Sequence, residues 1–213
     1  DSQQTTFPTQ TLAATLLREA DGLDAEPQAA LAAMLAKRLQ SSPIDLDRAR
    51  SILLIGPSGA GKSAVAAKLV HAARLIGRDT ELARACDGLA LFRSGTHPAN
   101  RLTVMEADGF NPLNPRANAA FAALGDMEGV ETIGVVSSLH DAEDVHEIVH
   151  ALRFRRVIVT GLDRTRRCGS LAAAALDGAA LAHVARGPRP DSALENLDAG
   201  ALAELLLKTA TAH

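Results

Sequence analysis

The stretch SILLIGPSGAGKSAVAAKLV, residues 51–70, joins a short apolar run to an alanine-rich segment of helical periodicity through a glycine-rich turn. Its centre matches G-x-x-x-x-G-K-[ST] from Gly56 to Ser63, with Pro57, Ser58, Gly59, Ala60, Gly61 and Lys62 between them. Glycines let the backbone turn tightly and approach phosphate oxygens without an intervening Cβ. Successive N–H groups at the start of a helix favour an anion. A strand before the motif and a helix after it distinguish a phosphate-binding loop from an ordinary glycine-rich turn.

Two side chains of this motif have separate chemical roles. In such a loop the Lys62 ammonium reaches the β- and γ-phosphates, and the Ser63 hydroxyl is a ligand of Mg²⁺. The motif therefore predicts a nucleoside triphosphate as the ligand. It carries no information about the base.

Composition limits the other classes of function. The chain has 213 residues, 47% of them hydrophobic, and a net charge of -3, enough for one sizeable core. Acidic and basic residues are interspersed and neither Trp nor Tyr is present, so we expect no direct nucleic-acid binding. The two cysteines, Cys86 and Cys168, suit a reduced, cytoplasmic setting. No apolar run reaches the roughly 20 residues that a membrane span needs.

From residue 51 onward, predicted strands and helices alternate. The strands are expected at 52–55, 102–105, 132–136, 156–160 and 180–185, and the helices at 116–124, 141–152, 169–176 and 199–211. This alternation predicts an α/β fold with a mostly parallel sheet, in which ligands bind at the carboxyl ends of the strands.

Two further helical patterns, residues 11–20 and 27–40, precede this region. We therefore expect a small helical N-terminal domain at 1–44 and a phosphate-loop domain at 45–213. The pattern allows equally that residues 1–44 are an N-terminal extension of one domain.

The sequence VIVTGLD, residues 157–163, indicates which base the site binds. A carboxylate at a strand end can accept hydrogen bonds from N1–H and the 2-amino group of guanine, whereas adenine offers no such pair of donors. Taken alone, Asp163 also fits a helix N-cap.

The chain resembles the signal-recognition-particle (SRP) family of GTPases. The guanine motif of that family reads T-K-L-D, and Thr160, Gly161, Leu162 and Asp163 fall on it. Residues 132–163 are most similar to the flagellar placement branch of the family, FlhF. Gly187 opens a segment similar to the family's loop G-x-G-[EQ]-x-x-x-D-L. The resemblance extends from about residue 11 to residue 207, with one gap.

This resemblance implies a G domain that binds GTP or GDP with Mg²⁺ and acts as a switch in protein targeting or flagellar assembly. It implies pairing with a second copy or a related GTPase through the nucleotide face. It also implies a cytoplasmic protein with peripheral association at the inner membrane.

The chain departs from the family at the residues that sense the γ-phosphate. The family's D-T-A-G-R aligns with EADGF, residues 106–110. Glu106 or Asp108 is then the acid that orders Mg²⁺ and supports catalysis, and the Gly109 N–H faces the γ-phosphate. Phe110 cannot replace the arginine. We therefore expect weak or partner-dependent hydrolysis.

Two further departures leave alternatives open. Gly161 stands where the family has a lysine whose stem packs on the base. Only 38 residues separate Ser63 from Leu102, where the family has two more strands. Either the family's insertion has been lost or a segment is missing from this sequence. Asp79, Thr80 and Arg84 offer a match to the family's D-T-x-R element, with no predicted strand before it.

Two other functions remain open from the sequence. One is a guanine-nucleotide-binding scaffold without turnover. The other is a small phosphate-loop kinase, with the arginine-rich segment 164–167 as its lid.

Overall fold

A single sheet organises the part of the chain that the computed structural model describes, residues 26–94, 98, 100–107, 119, 128–165, 168–176 and 178–210. Within those ranges its seven strands are β1 (Ser51–Ile55), β2 (Asp79–Arg84), β3 (Arg101–Glu106), β4 (Val130–Ser137), β5 (Arg156–Thr160), β6 (Ala180–Ala185) and β7 (Leu194–Glu195). The helices there are α1 (Pro27–Ala36), α2 (Lys62–Leu75), α3 (Ala85–Arg93), α4 (Ala142–Leu152), α5 (Gly169–Leu176) and α6 (Ala199–Ala210).

The order of the strands is β2-β3-β1-β4-β5-β6-β7, and all neighbours are parallel except β6 and β7. This confirms the predicted α/β class. All five residues of β1 are buried, as expected for a central parallel strand that is covered on both faces. The parallel arrangement brings the carboxyl ends of β1, β3, β4 and β5 to one edge of the sheet.

Helices cover both faces of this sheet. Leu53 and Ile55 of β1 point to a core that α1, α4, α5 and α6 share, whereas Ile52 and Leu54 pack with the apolar side of α2. The apolar run that predicted β1 therefore serves two cores at once. The predicted helix 11–20 lies outside the described residues, and so does nearly all of the predicted helix 116–124.

The edge strand β2 differs from the sequence interpretation. We matched Asp79 and Thr80 to the D-T-x-R element and predicted no strand over residues 79–84, whereas the structure has a strand there. Both residues begin β2, at the edge of the sheet opposite the phosphate loop, and Asp79 forms an ion pair with Arg101 at 2.8 Å. Arg84 ends the strand, in register with Glu106.

Residues 40–42 extend the sheet rather than the helix before them. The Leu181 N–H donates to the Gln40 carbonyl at 2.7 Å, and the Ser42 N–H donates to the Leu181 carbonyl at 3.1 Å. Because this segment pairs with β6, α1 ends at Ala36 and not at the predicted residue 40. Helix α1 packs on α6. The domain boundary at residue 44 stays a prediction.

His183 of β6 joins this N-terminal segment to the sheet. Its Nε2 accepts a hydrogen bond from the Ile44 N–H at 3.1 Å, which requires that nitrogen to be unprotonated. Burial lowers the pKa of His183, the charge of Arg156 acts in the same direction, and the nearby Asn196 opposes the shift only partly. The folded protein therefore holds His183 neutral at pH values at which the unfolded chain is already protonated.

We expect His183 to make the free energy of unfolding depend on pH. Stability is fully present above the unfolded pKa of about 6.5 and decreases as the pH falls from there toward the lower folded pKa, by at most about 1.4 kcal/mol per pH unit. His183→Gln keeps an acceptor for the Ile44 N–H and removes the titration. Urea unfolding of both proteins at pH 7.5, 6.5 and 5.5 measures the difference, because the other histidines are common to both. Equal pH dependence in the two proteins would contradict this role.

Candidate functional site

The phosphate-binding loop lies between β1 and α2, as the motif predicts. Gly59 and Gly61 have φ angles of 78° and 90°, in the left-handed region that favours glycine. Gly56 is constrained by contact instead, since a Cβ there would lie 2.0 Å from the carbonyl oxygen of Val135 in β4. The loop therefore packs directly against the end of β4.

Lys62 and Ser63 begin α2 and extend to different parts of the site. The Lys62 ammonium donates to the carbonyl oxygens of Gly56 at 2.9 Å and Pro57 at 3.0 Å, so it lies over the loop. The Ser63 hydroxyl donates to Oε2 of Glu106 at 2.7 Å. Glu106 ends β3, and its register with Leu54 of β1 brings it beside the loop.

The Ser63–Glu106 pair has the chemistry of a magnesium site. A hydroxyl and a carboxylate in contact are hard oxygen donors, which Mg²⁺ prefers, and Mg²⁺ uses few protein ligands beside phosphates. Of the three predicted metal ligands the structure brings these two together. Asp108 lies outside the described residues, as does Gly109.

Thr160 connects the end of β5 to the phosphate loop. Its buried hydroxyl donates to the Ala60 carbonyl of the phosphate loop at 2.7 Å, and a Cβ on Gly61 would lie 3.2 Å from the same oxygen. We predicted Thr160 as a nucleotide-binding residue. The contact with Ala60 makes it a positioning residue for the loop.

Asp163 follows β5 and is held by the loop after β6. Its Oδ1 accepts a hydrogen bond from the Gly187 N–H at 2.8 Å. That bond holds the pKa of Asp163 below its ordinary value; Arg164 and Arg186 act in the same direction, and desolvation opposes them. The carboxylate is therefore ionised at neutral pH and fixed in direction, and its remaining acceptor capacity is available to a ligand.

One cavity of about 370 Å³ spans these elements. The phosphate loop contributes Gly59 and Gly61, the end of β5 contributes Thr160 and Asp163, and Gly187 closes the far side. Gly59 and Gly61 of the phosphate loop and Asp163 therefore line one cleft at the carboxyl edge of the sheet, and Lys62 and Ser63 follow Gly61 directly at the start of α2. Gly187, predicted to contact the nucleotide, lines the cleft and holds Asp163.

No protein-family model matches the sequence, and no curated protein matches it. Solved structures do. FlhF complexed with GTP and Mg²⁺ superposes with a TM-score of 0.72 at 18% identity, over 93% of this chain and 92% of that one. The cell division protein FtsY from Thermotoga maritima gives a TM-score of 0.68 at 16% identity, over 91% of this chain and 81% of that one. The 54 kDa signal recognition particle protein from Aeropyrum pernix, in complex with GDP, superposes with a TM-score of 0.66 at 18% sequence identity. The match covers 92% of this chain and 59% of that one.

The protein has the fold of the SRP-type GTPases. The likeness spans nearly the whole chain, and at these identities it establishes the architecture of the G domain rather than the activity. No helix within the described ranges is long and apolar enough to cross a membrane.

Sequence reasoning missed Lys68, which ties two elements of this SRP-type fold together. The side chain leaves α2 and is only 2% exposed. Its ammonium donates to the carbonyl oxygens of Arg189 at 2.8 Å and Ser192 at 2.9 Å, and also to the Ser192 hydroxyl. These acceptors belong to the loop that carries Gly187, so Lys68 holds the loop that orients Asp163.

Burial lowers the pKa of Lys68, and the nearby Asp191, Asp163 and Glu195 carboxylates counteract this partly. The pattern in the sequence contained a sign of this role. Lys68 lies beside the buried Val65 and Leu69 on the apolar side of α2, where a solvated lysine would not be placed. A buried ammonium needs several acceptors, and the loop 186–192 supplies them.

Lys68→Met should destabilise the protein by about 2–3 kcal/mol, because charge-assisted hydrogen bonds of a buried ammonium are lost and the partly buried carbonyl groups of the loop 186–192 lose their donor. Lys37→Met is the matched control, since Lys37 is exposed and follows α1. Chemical denaturation of the three proteins measures the free energy of unfolding. Equal losses in the two variants would show that Lys68 does not hold the loop.

Proposed function

We propose that the protein binds GTP together with Mg²⁺ and hydrolyses it slowly, as a switch of the SRP type. The observation that carries this proposal is the shared cleft. Gly59 and Gly61 of the phosphate loop line one end, close in sequence to the Ser63–Glu106 pair at 2.7 Å, and the ionised Asp163, fixed by Gly187, lines the other.

Asp163 selects the base. An ionised carboxylate accepts the N1–H and 2-amino protons of guanine, while adenine would leave it without a pair of donors. The Gly187 N–H uses part of the capacity of Oδ1 and sets the direction of the carboxylate before the nucleotide arrives. This preorganisation lowers the ordering cost of binding.

The phosphate loop and Lys62 bind the triphosphate. The Lys62 ammonium, which lies on the Gly56 and Pro57 carbonyls, is within the loop that a β,γ-phosphate would enter. Ser63 and Glu106 would hold Mg²⁺, with Asp108 as the further acid of this proposal. When bound, the ion would neutralise the negative charge that develops on the phosphates during GTP hydrolysis.

Slow turnover follows from the residues at the end of β3. Glu106 is one methylene longer than the family aspartate, and it contacts Ser63 directly. A displacement of about 1 Å at a catalytic group can cost on the order of a hundredfold in rate. The likeness to FlhF, FtsY and the 54 kDa particle protein supports a role in protein targeting or flagellar assembly.

In this proposal the switch acts in the cytoplasm, with peripheral association at the inner membrane. Its partner is a second copy or a related GTPase, which pairs through the nucleotide face and completes the catalytic site. The chain's own residues bind and orient GTP, and the partner supplies the positive charge that Phe110 lacks in place of the family arginine.

Asp163→Asn should exchange the base preference. The asparagine amide can donate to the 2-carbonyl of xanthine but repels the guanine 2-amino group, so GTP affinity should fall by on the order of a hundredfold and xanthosine triphosphate should bind better. Competition against a fluorescent GTP analogue measures both. Lys62→Ala is the companion variant and should lose both nucleotides while circular dichroism stays unchanged. Equal affinities of the unmodified protein for ATP and GTP would show that Asp163 does not select guanine.

Single-turnover hydrolysis of GTP-loaded protein tests the second half of the proposal. We expect a slow rate in dilute solution that rises with protein concentration, since pairing would complete the site. Glu106→Gln should abolish the residual rate, because a neutral amide is a poor Mg²⁺ ligand. Fast, concentration-independent hydrolysis by the dilute protein would show that its own acids form a competent site. No hydrolysis at any concentration would favour the scaffold function.

A further inference from the structure

Gly161 leaves the base end of the cleft without the side chain that the guanine motif normally carries there. Its φ is 75°, in the left-handed region that residues with a Cβ rarely adopt, and its N–H donates to the Ala185 carbonyl at 3.1 Å. A Cβ built on Gly161 would meet Ser138 Oγ at 3.3 Å, Ser137 Oγ at 3.5 Å and Leu139 Cγ at 3.8 Å. The turn after β4 therefore fills the space beside residue 161.

Leu139 presents an apolar side chain to this space. It is 49% exposed, one of four large apolar side chains in the described residues with that degree of exposure, and it lines the nucleotide cleft. The other three, Leu75, Ile76 and Leu82, lie at the end of α2 and on β2 and do not line that cleft.

The position of Leu139 is fixed by the backbone. Its N–H donates to Ser137 Oγ at 3.2 Å, and the Ser138 N–H donates to the Thr160 carbonyl at 2.9 Å. The turn is thus fastened to the end of β5, three residues before Asp163. Binding sites combine such apolar walls with a few placed polar groups.

We infer that Leu139 forms the wall on which the flat face of the purine rests, in place of a side chain at residue 161. This inference rests on the proposed binding of GTP and names a further residue of that site. Leu139 contacts the ring face through dispersion and burial, so it adds affinity for any purine. Asp163 contacts the ring edge and distinguishes guanine from the others.

Leu139→Ala tests whether Leu139 contacts the face of the purine. Leu82→Ala is the matched control, because Leu82 is 55% exposed and lies on the edge strand β2. Calorimetric titration with GTP, inosine triphosphate and inorganic tripolyphosphate, each with Mg²⁺, measures the dissociation constants. One buried methylene group is worth about fourfold in an equilibrium constant. Leu139→Ala removes three carbon atoms, of which a flat ring would cover one side only, so the loss should equal roughly one to one and a half methylene groups, and GTP and inosine triphosphate should bind about fourfold to eightfold more weakly. Tripolyphosphate, which has no base, should change by less than about twofold on the same reasoning.

The control Leu82→Ala should bind all three ligands as the unmodified protein does. Leu139→Met keeps an apolar side chain of similar size and should retain affinity for the two nucleotides, which also guards against a folding defect in the alanine variant.

Three outcomes would overturn the inference. GTP affinity that Leu139→Ala leaves unchanged, in a protein whose base preference still responds to Asp163→Asn, would remove Leu139 from the site and leave the proposed function standing. An equal loss for tripolyphosphate would show that Leu139 shapes the phosphate loop instead. Absence of GTP binding by the unmodified protein would overturn the inference together with the proposed function.

Discussion

The hydrogen bond from the Thr160 hydroxyl to the Ala60 carbonyl, 2.7 Å long and buried, sets the geometry on which the rest of the site depends. Strands β1 and β5 are not neighbours, because β4 lies between them. Backbone pairing therefore connects the phosphate loop to the segment that carries Asp163 only through β4. The Thr160 hydroxyl links the phosphate loop directly to the end of β5, three residues before Asp163.

Two other contacts complete this frame. Gly56 lets the phosphate loop rest on the Val135 carbonyl of β4, and Lys68 fastens α2 to the loop that carries Gly187. Helix α2 and the Asp163 carboxylate are therefore both held by the loop 186–192, through Lys68 and through the Gly187 N–H. A buried ammonium among carbonyl groups is costly unless each donor is used, and here several are used at once.

Much of this arrangement could be predicted from the sequence. The apolar run before Gly56, the glycine spacing and the alanine-rich helix are local patterns, so the strand, loop and helix follow from residues 51–75. The carboxyl-edge rule for parallel sheets then places Glu106 near Ser63 and Asp163 near the loop. The aliphatic and β-branched runs gave β5 and β6 with their observed bounds.

The remaining features depend on contacts between distant residues. Strand β2 is polar and half exposed, and it is held by pairing with β3 and by the ion pairs of Arg101 with Asp79 and Glu81, which no local pattern reveals. The position of Lys68 on the apolar side of α2 is a local signal, but the acceptors that bind its ammonium belong to the distant loop 186–192. Asp108 and Gly109 remain predictions, because they lie outside the described residues.

In the proposed site, Asp163 binds guanine and Ser63 binds the Mg²⁺ of the triphosphate. A crystal structure with a non-hydrolysable GTP analogue and Mg²⁺ would show both contacts. We expect N1 and the 2-amino nitrogen of guanine at about 2.9 Å from the Asp163 carboxylate, and Mg²⁺ at about 2.1 Å from the Ser63 hydroxyl. A base that points away from Asp163, or a metal that Ser63 does not contact, would contradict this proposal.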